Sequence, residues 1–139
     1  MRALPNMKIA SISHNKQIEE VLATEGPMYV RLDRGEGRYA PRLKFNIEYD
    51  TGYKKEETYY PLWLKPFEMP PIPEFTKEII TVEEHQLAGG LGSIVAEYLV
   101  DNNINIPLKR IGIKDEYFYK YGSREDIWNP EEELSSLLK

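Results

Sequence analysis

The chain has 139 residues, which is the size of one domain or of one domain with a small appendage, and this excludes a large multidomain enzyme that acts alone. Its 18 Lys and Arg against 23 Asp and Glu give a net charge of −5, which argues against wrapping nucleic acid or lying on an anionic membrane. Cysteine is absent, and this excludes disulfides, a thiol nucleophile and thiolate metal sites.

The first block, residues 1–34, has the pattern of one βαβ unit. Met7–Ile12 predicts a strand, and Met28–Leu32 predicts a second strand after the Gly26-Pro27 break. Between them a helix is predicted whose apolar side carries Ile18, Val21 and Leu22. A strand, a helix and a strand in thirty residues imply a parallel pair.

The second block, residues 35–75, is rich in tyrosine and proline. Apolar residues alternate with polar ones from Leu43 to Tyr49, and a turn at Asp50-Thr51-Gly52 is followed by a second alternating run from Thr58 to Leu64. This pattern predicts an antiparallel β-hairpin. The prolines from Pro66 to Pro73 then predict an extended connector on the surface.

The third block, residues 76–139, is again α/β. Glu78–Val82 predicts a buried strand that ends at Glu83, and Leu108–Ile113 predicts the next strand. The glycine-rich turn between them opens a helix whose shared face carries Ile94, Val95, Tyr98 and Leu99. A last helix is predicted to begin at Pro130 behind an Asn129 cap.

The turn around Gly89, Gly90 and Gly92 has two interpretations. Glycines let the backbone come close either to a phosphate or to a neighbouring strand, and close helix–sheet packing is the more common reason. His85 beside Glu83 and Glu84 has two interpretations as well. Neighbouring carboxylates would raise the imidazole pKa and favour proton transfer, whereas a structural role requires no titration.

Taken whole, the run from Thr81 to Glu97 resembles the "TVEEH…GGLGS.VAE" segment of the C-terminal domain of transketolases, deoxyxylulose-phosphate synthases and 2-oxo-acid dehydrogenase beta subunits. Asp115–Phe118 and Tyr121–Ser123 are similar to the "D.F…YG" segment of the same family. This resemblance covers residues 79–126. It implies an α/β domain and makes Glu84, His85, Gly89, Gly90 and Gly92 candidates for an interface or a glycine turn.

The amino-terminal residues carry a second resemblance to the same family. Arg2–Met7 resembles the "R.IPNM" segment late in the pyrimidine-binding domain, and Gly26–Gly35 is similar to the "GP.Y.R..RG" strand end. The second arginine of that strand end binds the sugar phosphate of the substrate in the family, and it aligns with Arg34. A guanidinium suits this role because its fork meets phosphate oxygens in pairs. The alternative is a solvated charge at a strand end.

The family cofactor is thiamine diphosphate with Mg²⁺, and the resemblance implies it for the family only. The segments that bind and activate it precede the residues matched here, so we expect no cofactor bound by this chain alone. The resemblance instead implies a homo- or hetero-oligomer in which another chain carries the cofactor-binding domains. A sugar phosphate is a candidate ligand, and neither nucleic acid nor a membrane is an expected partner.

These observations predict an α/β fold with a mostly parallel sheet, flanking helices and an antiparallel hairpin insertion. Residues 1–34 would be the end of a pyrimidine-binding domain, residues 35–75 a hairpin and connector, and residues 76–139 the C-terminal domain. The predicted function is that of the C-terminal part of a transketolase-like enzyme. The alternatives are a non-catalytic interaction or regulatory module and an independent sugar-phosphate binder.

Two further expectations concern the surface and the compartment. The run of Tyr117, Phe118, Tyr119 and Tyr121 is more typical of core or interface than of a ligand site. The amino terminus contains no apolar signal segment, and no apolar run approaches the roughly 20 residues that a bilayer requires. We therefore expect a soluble cytoplasmic protein.

Overall fold

The computed structural model describes residues 2–33, 39–119 and 121–137. The elements in chain order are β1 (Lys8–Ser11), α1 (Gln17–Leu22), β2 (Met28–Arg31), β3 (Arg42–Glu48), β4 (Lys54–Tyr59), β5 (Trp63–Lys65), β6 (Thr76–Gln86), α2 (Leu91–Asp101), β7 (Leu108–Ile113), α3 (Arg124–Ile127) and α4 (Pro130–Leu137). Among these described elements no helix is long and apolar enough to cross a membrane.

The first sheet has three strands in the order β2-β1-β5. β1 and β2 are parallel, which confirms the predicted βαβ unit, and β5 runs antiparallel on the other side of β1. The predicted apolar side of α1 is correct only for Val21, which is buried with Ala10 and Leu62. Leu22 is 80% exposed, because the three-stranded sheet is too small to cover the whole helix.

The second sheet has four strands in the order β4-β3-β6-β7. The predicted hairpin is confirmed as the antiparallel pair β3 and β4, and β3 is also antiparallel to β6. Only β6 and β7 are parallel in this sheet. The prediction of a mostly parallel arrangement is therefore wrong. The chain between β2 and β6 folds back as a hairpin without a helical crossover, and such a return makes neighbouring strands antiparallel.

The predicted returning strand from Thr58 to Leu64 is divided between the two sheets. β4 ends at Tyr59, and β5, which begins at Trp63, pairs with β1 of the other sheet. Pro61 lies between them and cannot donate to a strand ladder, so the chain leaves one sheet here and joins the other.

The largest core lies between the second sheet and α2. Leu43, Phe45 and Ile47 point from β3 toward the buried side chains of α2, as the alternating pattern predicts. The proline-rich connector is not confined to the surface, because three of its side chains pack against this core. They are Phe67, Met69 and Ile72.

The C-terminal helices cover the opposite face of the second sheet. Leu134 of α4 is buried with Ile80, Val82 and Ile111, and Trp128 packs beside them. The predicted start of α4 is confirmed, since the Asn129 Oδ1 atom accepts the Glu131 N–H at 3.2 Å. This anchors the chain that follows β7 beside the carboxyl ends of β6 and β7.

Candidate functional site

The carboxyl ends of β2 and β6 meet at an ion-pair network centred on Glu84. The Arg31 Nη2 atom lies 3.1 Å from one carboxylate oxygen of Glu84, and Arg124 donates from Nε to the other. Both Arg31 and Glu84 are about 15% exposed in their side chains. Glu84 thus joins the first sheet, the second sheet and α3 within this chain.

Arg124 also contacts Asp33 and Tyr39. Its Nη1 atom lies 2.8 Å from the Asp33 carboxylate, and its guanidinium stands 4.3 Å from the centre of the Tyr39 ring. The hydrogen bond with Asp33 is the main cause of a raised Arg124 pKa. Arg34 itself lies outside the described residues. Sequence reasoning missed Arg124, because nothing in its local pattern distinguishes it from an exposed helix residue.

The Glu83 carboxylate occupies the N-terminus of α2. This is where a phosphate would bind if the glycine turn were a phosphate site. β6 continues past the predicted end at Glu83 to Gln86, and the Glu83 side chain is turned inward with the residue 1% exposed. Its carboxylate accepts the N–H groups of Leu91 at 2.6 Å and Gly92 at 2.8 Å. These are the first N–H groups of α2, so the chain's own carboxylate caps the helix and occupies its positive end.

Burial raises the pKa of Glu83, while the two N–H groups act in the opposite direction. Raised pKa values often mark catalytic carboxyl groups. Here both oxygens are engaged by the backbone of the same chain, and the geometry gives Glu83 a structural role.

Each candidate glycine has a distinct reason to be glycine. Gly89 has φ +77°, a conformation that L side chains rarely adopt. A Cβ at Gly90 would lie 1.9 Å from a Glu83 carboxylate oxygen. A Cβ at Gly92 would lie 2.6 Å from Nε of Arg110 and 2.8 Å from Oγ1 of Thr81. These short distances agree with the interpretation that the glycines allow α2 to pack closely against the sheet.

His85 does not behave as a carboxylate-activated imidazole. Burial of the ring, together with the nearby charge of Arg31, lowers its pKa below the ordinary value. The expectation that Glu83 and Glu84 raise this pKa is wrong, because Glu83 points to the helix and Glu84 is neutralised by two guanidinium groups. His85 lines a cavity of about 190 Å³ between the first sheet and the glycine turn, with Arg2, Arg31, Gly89 and Gly90 among its neighbours.

The lowered pKa of His85 predicts a specific pH dependence of stability. The unfolded chain binds the imidazole proton at a higher pH than the folded chain does. The free energy of unfolding should therefore fall as the pH drops from about 6.5 through the folded pKa. An NMR titration of the His85 ring measures that pKa directly. Arg31→Gln should raise it only in part, because burial is the larger cause. A folded pKa above about 6.5 would contradict this account and favour the proton-transfer interpretation.

The described residues do not fit thiamine diphosphate and its metal ion. The N-terminus of α2 already holds the Glu83 carboxylate, and a diphosphate placed there would meet a buried negative charge. Within residues 2–33, 39–119 and 121–137, no group of three or more His, Asp or Glu side chains is arranged to hold a metal ion.

Comparison with known proteins identifies the family. The model of the family "Transketolase, C-terminal domain" matches residues 59–133, which is more than half of the chain. This chain belongs to the transketolase C-terminal domain family, and the resemblance noted from its sequence is confirmed. The match includes the Glu83 cap, the glycine turn and α2.

Individual relatives extend the similarity toward the amino terminus. A "1-deoxy-D-xylulose-5-phosphate synthase" of Phocaeicola vulgatus is 34% identical over 67% of this chain and 15% of its own length. The enzyme of the same name from Methylococcus capsulatus is 30% identical over 91% of this chain and 25% of its own length. A "Putative transketolase C-terminal section" of Methanocaldococcus jannaschii is 27% identical over 91% of this chain and 52% of its own length. The chain thus spans between about one seventh and one half of these relatives.

Proposed function

We propose that this chain is the C-terminal part of a transketolase-like enzyme that depends on thiamine diphosphate and transfers a ketol unit between sugar phosphates. The observation that carries the proposal is the alignment of 91% of the chain with a protein that is itself called a transketolase C-terminal section. In this proposal the chain is inactive alone. It works in the cytoplasm in an oligomer with a chain that carries the cofactor-binding domains.

The residue proposed to touch the substrate is Arg34. Its neighbour Asp33 is paired with Arg124, whose guanidinium also lies over the ring of Tyr39. Arg124 in turn pairs with Glu84 at the carboxyl end of β6. A guanidinium in this segment would offer paired N–H donors to a phosphate at any working pH.

The glycine turn is proposed to order the junction between the two parts of the chain. Gly90, Leu91 and Ile94 line the same cavity as Ile9 and Leu64 of the first sheet. Because α2 also packs on the second sheet, the turn sets the distance between the sheets. This geometry supports residues 1–34 and residues 76–139 as two parts of one larger assembly.

The test is reconstitution with a purified chain that carries the transketolase cofactor-binding domains. The mixture, supplied with thiamine diphosphate and Mg²⁺, is assayed with a ketose phosphate donor and an aldose phosphate acceptor. We expect activity only in the mixture, and Arg34→Ala should raise KM for the sugar phosphate at least tenfold while Arg34→Lys raises it less. A mixture that forms no complex or gains no activity would overturn the proposal.

A non-catalytic interaction module is the second candidate, and one observation favours it. A cavity of about 680 Å³ is lined by Tyr59, Tyr60 and Trp63 from the hairpin region and by Gln17 and Glu20 of α1. Aromatic side chains are enriched at protein interfaces. Recovery of unrelated proteins from the native cytoplasm, with no ketol transfer, would favour this candidate over the enzyme.

A further inference from the structure

Another cavity, of about 440 Å³, lies beyond the carboxyl end of β7 and is lined by aromatic side chains from two directions. Tyr117, Phe118 and Tyr119 come from the segment after β7, and Trp128 comes from the link between α3 and α4. Tyr117 and Tyr119 are each 87% exposed. The interpretation of this run as core is therefore wrong for these two rings, while an interface remains consistent with their exposure.

Carboxylates complete the lining of this cavity. Glu116 and Glu133 both line it, and in the described part of the chain neither carboxylate has an ion-pair or hydrogen-bond partner. Lys114 is the only cationic lining residue among those described. The two carboxylates therefore outnumber the single cation in the described lining of the cavity.

We propose that this cavity binds an arginine side chain presented by a basic segment of a partner protein. A guanidinium is weakly hydrated, stacks on the faces of Tyr and Trp, and donates in pairs to carboxylates. The cavity offers both kinds of group, and arginine is among the side chains that most often dominate the energy of an interface. A second copy of this chain is the less suitable occupant, because each copy has a net charge of −5.

The proposed arginine site depends only on this cavity and not on the proposed enzymatic function. None of its lining residues belongs to the Glu84 network, although α3 contributes Ile127 to the cavity and Arg124 to the network. The two proposals can therefore fail separately.

An NMR titration with a short neutral peptide that contains one arginine tests the proposal. The readout is the indole N–H of Trp128, and the backbone amide of Val100, an exposed residue of α2, is the internal control. We expect a saturable shift of the Trp128 signal with a dissociation constant in the millimolar range, and no shift of the Val100 amide signal. The same peptide with citrulline in place of arginine should bind at least threefold more weakly.

Three variants separate binding at this cavity from general attraction to an acidic chain. Tyr117→Ser with Tyr119→Ser removes two exposed rings without touching the core, so the fold should persist and the shift should be lost. Glu133→Gln should weaken binding about threefold, whereas Glu97→Gln, which removes an equal charge on α2, should leave it unchanged. Equal binding of the citrulline peptide, or full binding by the Tyr117→Ser, Tyr119→Ser variant, would overturn the proposal.

Discussion

Glu83→Ala should lower the free energy of unfolding by about 3 kcal/mol, the largest effect expected of any single carboxylate in the described part of the chain. The substitution leaves the N–H groups of Leu91 and Gly92 without their acceptor in a site where Glu83 is 1% exposed. It also leaves a cavity under the glycine turn. Urea unfolding followed by circular dichroism measures the change.

Glu83→Gln is the matched variant of nearly equal shape. It keeps one acceptor oxygen but turns an amide toward the second N–H group, so we expect a loss of about 1–2 kcal/mol. Because burial raises the Glu83 pKa, the folded chain holds this proton more tightly than the unfolded chain. Glu83 should therefore contribute a fall in stability as the pH rises from about 4.5 through the raised pKa, and Glu83→Gln should remove that contribution. An unchanged free energy of unfolding in Glu83→Ala would mean that the carboxylate does not cap α2.

Gly90→Ala should destabilise the fold by about 2–3 kcal/mol. The new Cβ would overlap the Glu83 carboxylate, which cannot swing away without giving up two backbone hydrogen bonds. The backbone of Gly90 has φ −86°, which other residues adopt, so the cost comes from crowding and not from the dihedral angle. The same unfolding measurement gives this value.

The double variant identifies the cause. In the Glu83→Ala background the Cβ that Gly90→Ala introduces meets no carboxylate, so the cost of Gly90→Ala should fall to about 1 kcal/mol, the ordinary penalty for alanine in place of glycine at a helix N-cap. Gly89→Asn is the control at the preceding position, since a Cβ there meets no atom within 4 Å and asparagine tolerates positive φ. Strict additivity of Glu83→Ala and Gly90→Ala would contradict the crowding explanation.

Much of the α/β framework can be predicted from the sequence. The β-branched run before Glu83 and the glycine turn predict β6 and the start of α2, and Leu108–Ile113 is β7 as predicted. These elements are predictable because hydrophobic period and local turn chemistry agree in each of them.

The sheet order cannot be predicted in the same way. Strand direction in the second sheet depends on the return of β3 beside β6, two strands that are separated by the whole hairpin and proline connector. The change of sheet between β4 and β5 also depends on long-range pairing, although Pro61 marks where the ladder must end.

In the candidate site, too, local features can be predicted from the sequence, whereas contacts between distant residues cannot. The glycines could be recognised from the sequence, but their purpose depends on the inward turn of Glu83, eight residues before Leu91. Glu84 lies 53 positions from Arg31 and 40 positions from Arg124 along the chain, and no local pattern predicts that they pair. The lowered pKa of His85 follows first from burial of the ring and then from the nearby charge of Arg31, and it could not be inferred from neighbouring residues alone.

The central structural claim is that Glu83, and no phosphate, occupies the positive end of α2. The most direct measurement is an NMR titration of the ¹⁵N-labelled chain with thiamine diphosphate and Mg²⁺, observing the amide signals of Leu91 and Gly92. These two N–H groups already donate to the Glu83 carboxylate, so we predict no saturable shift at either signal. Saturable shifts at both amides would show that the turn accepts a diphosphate and would contradict the account.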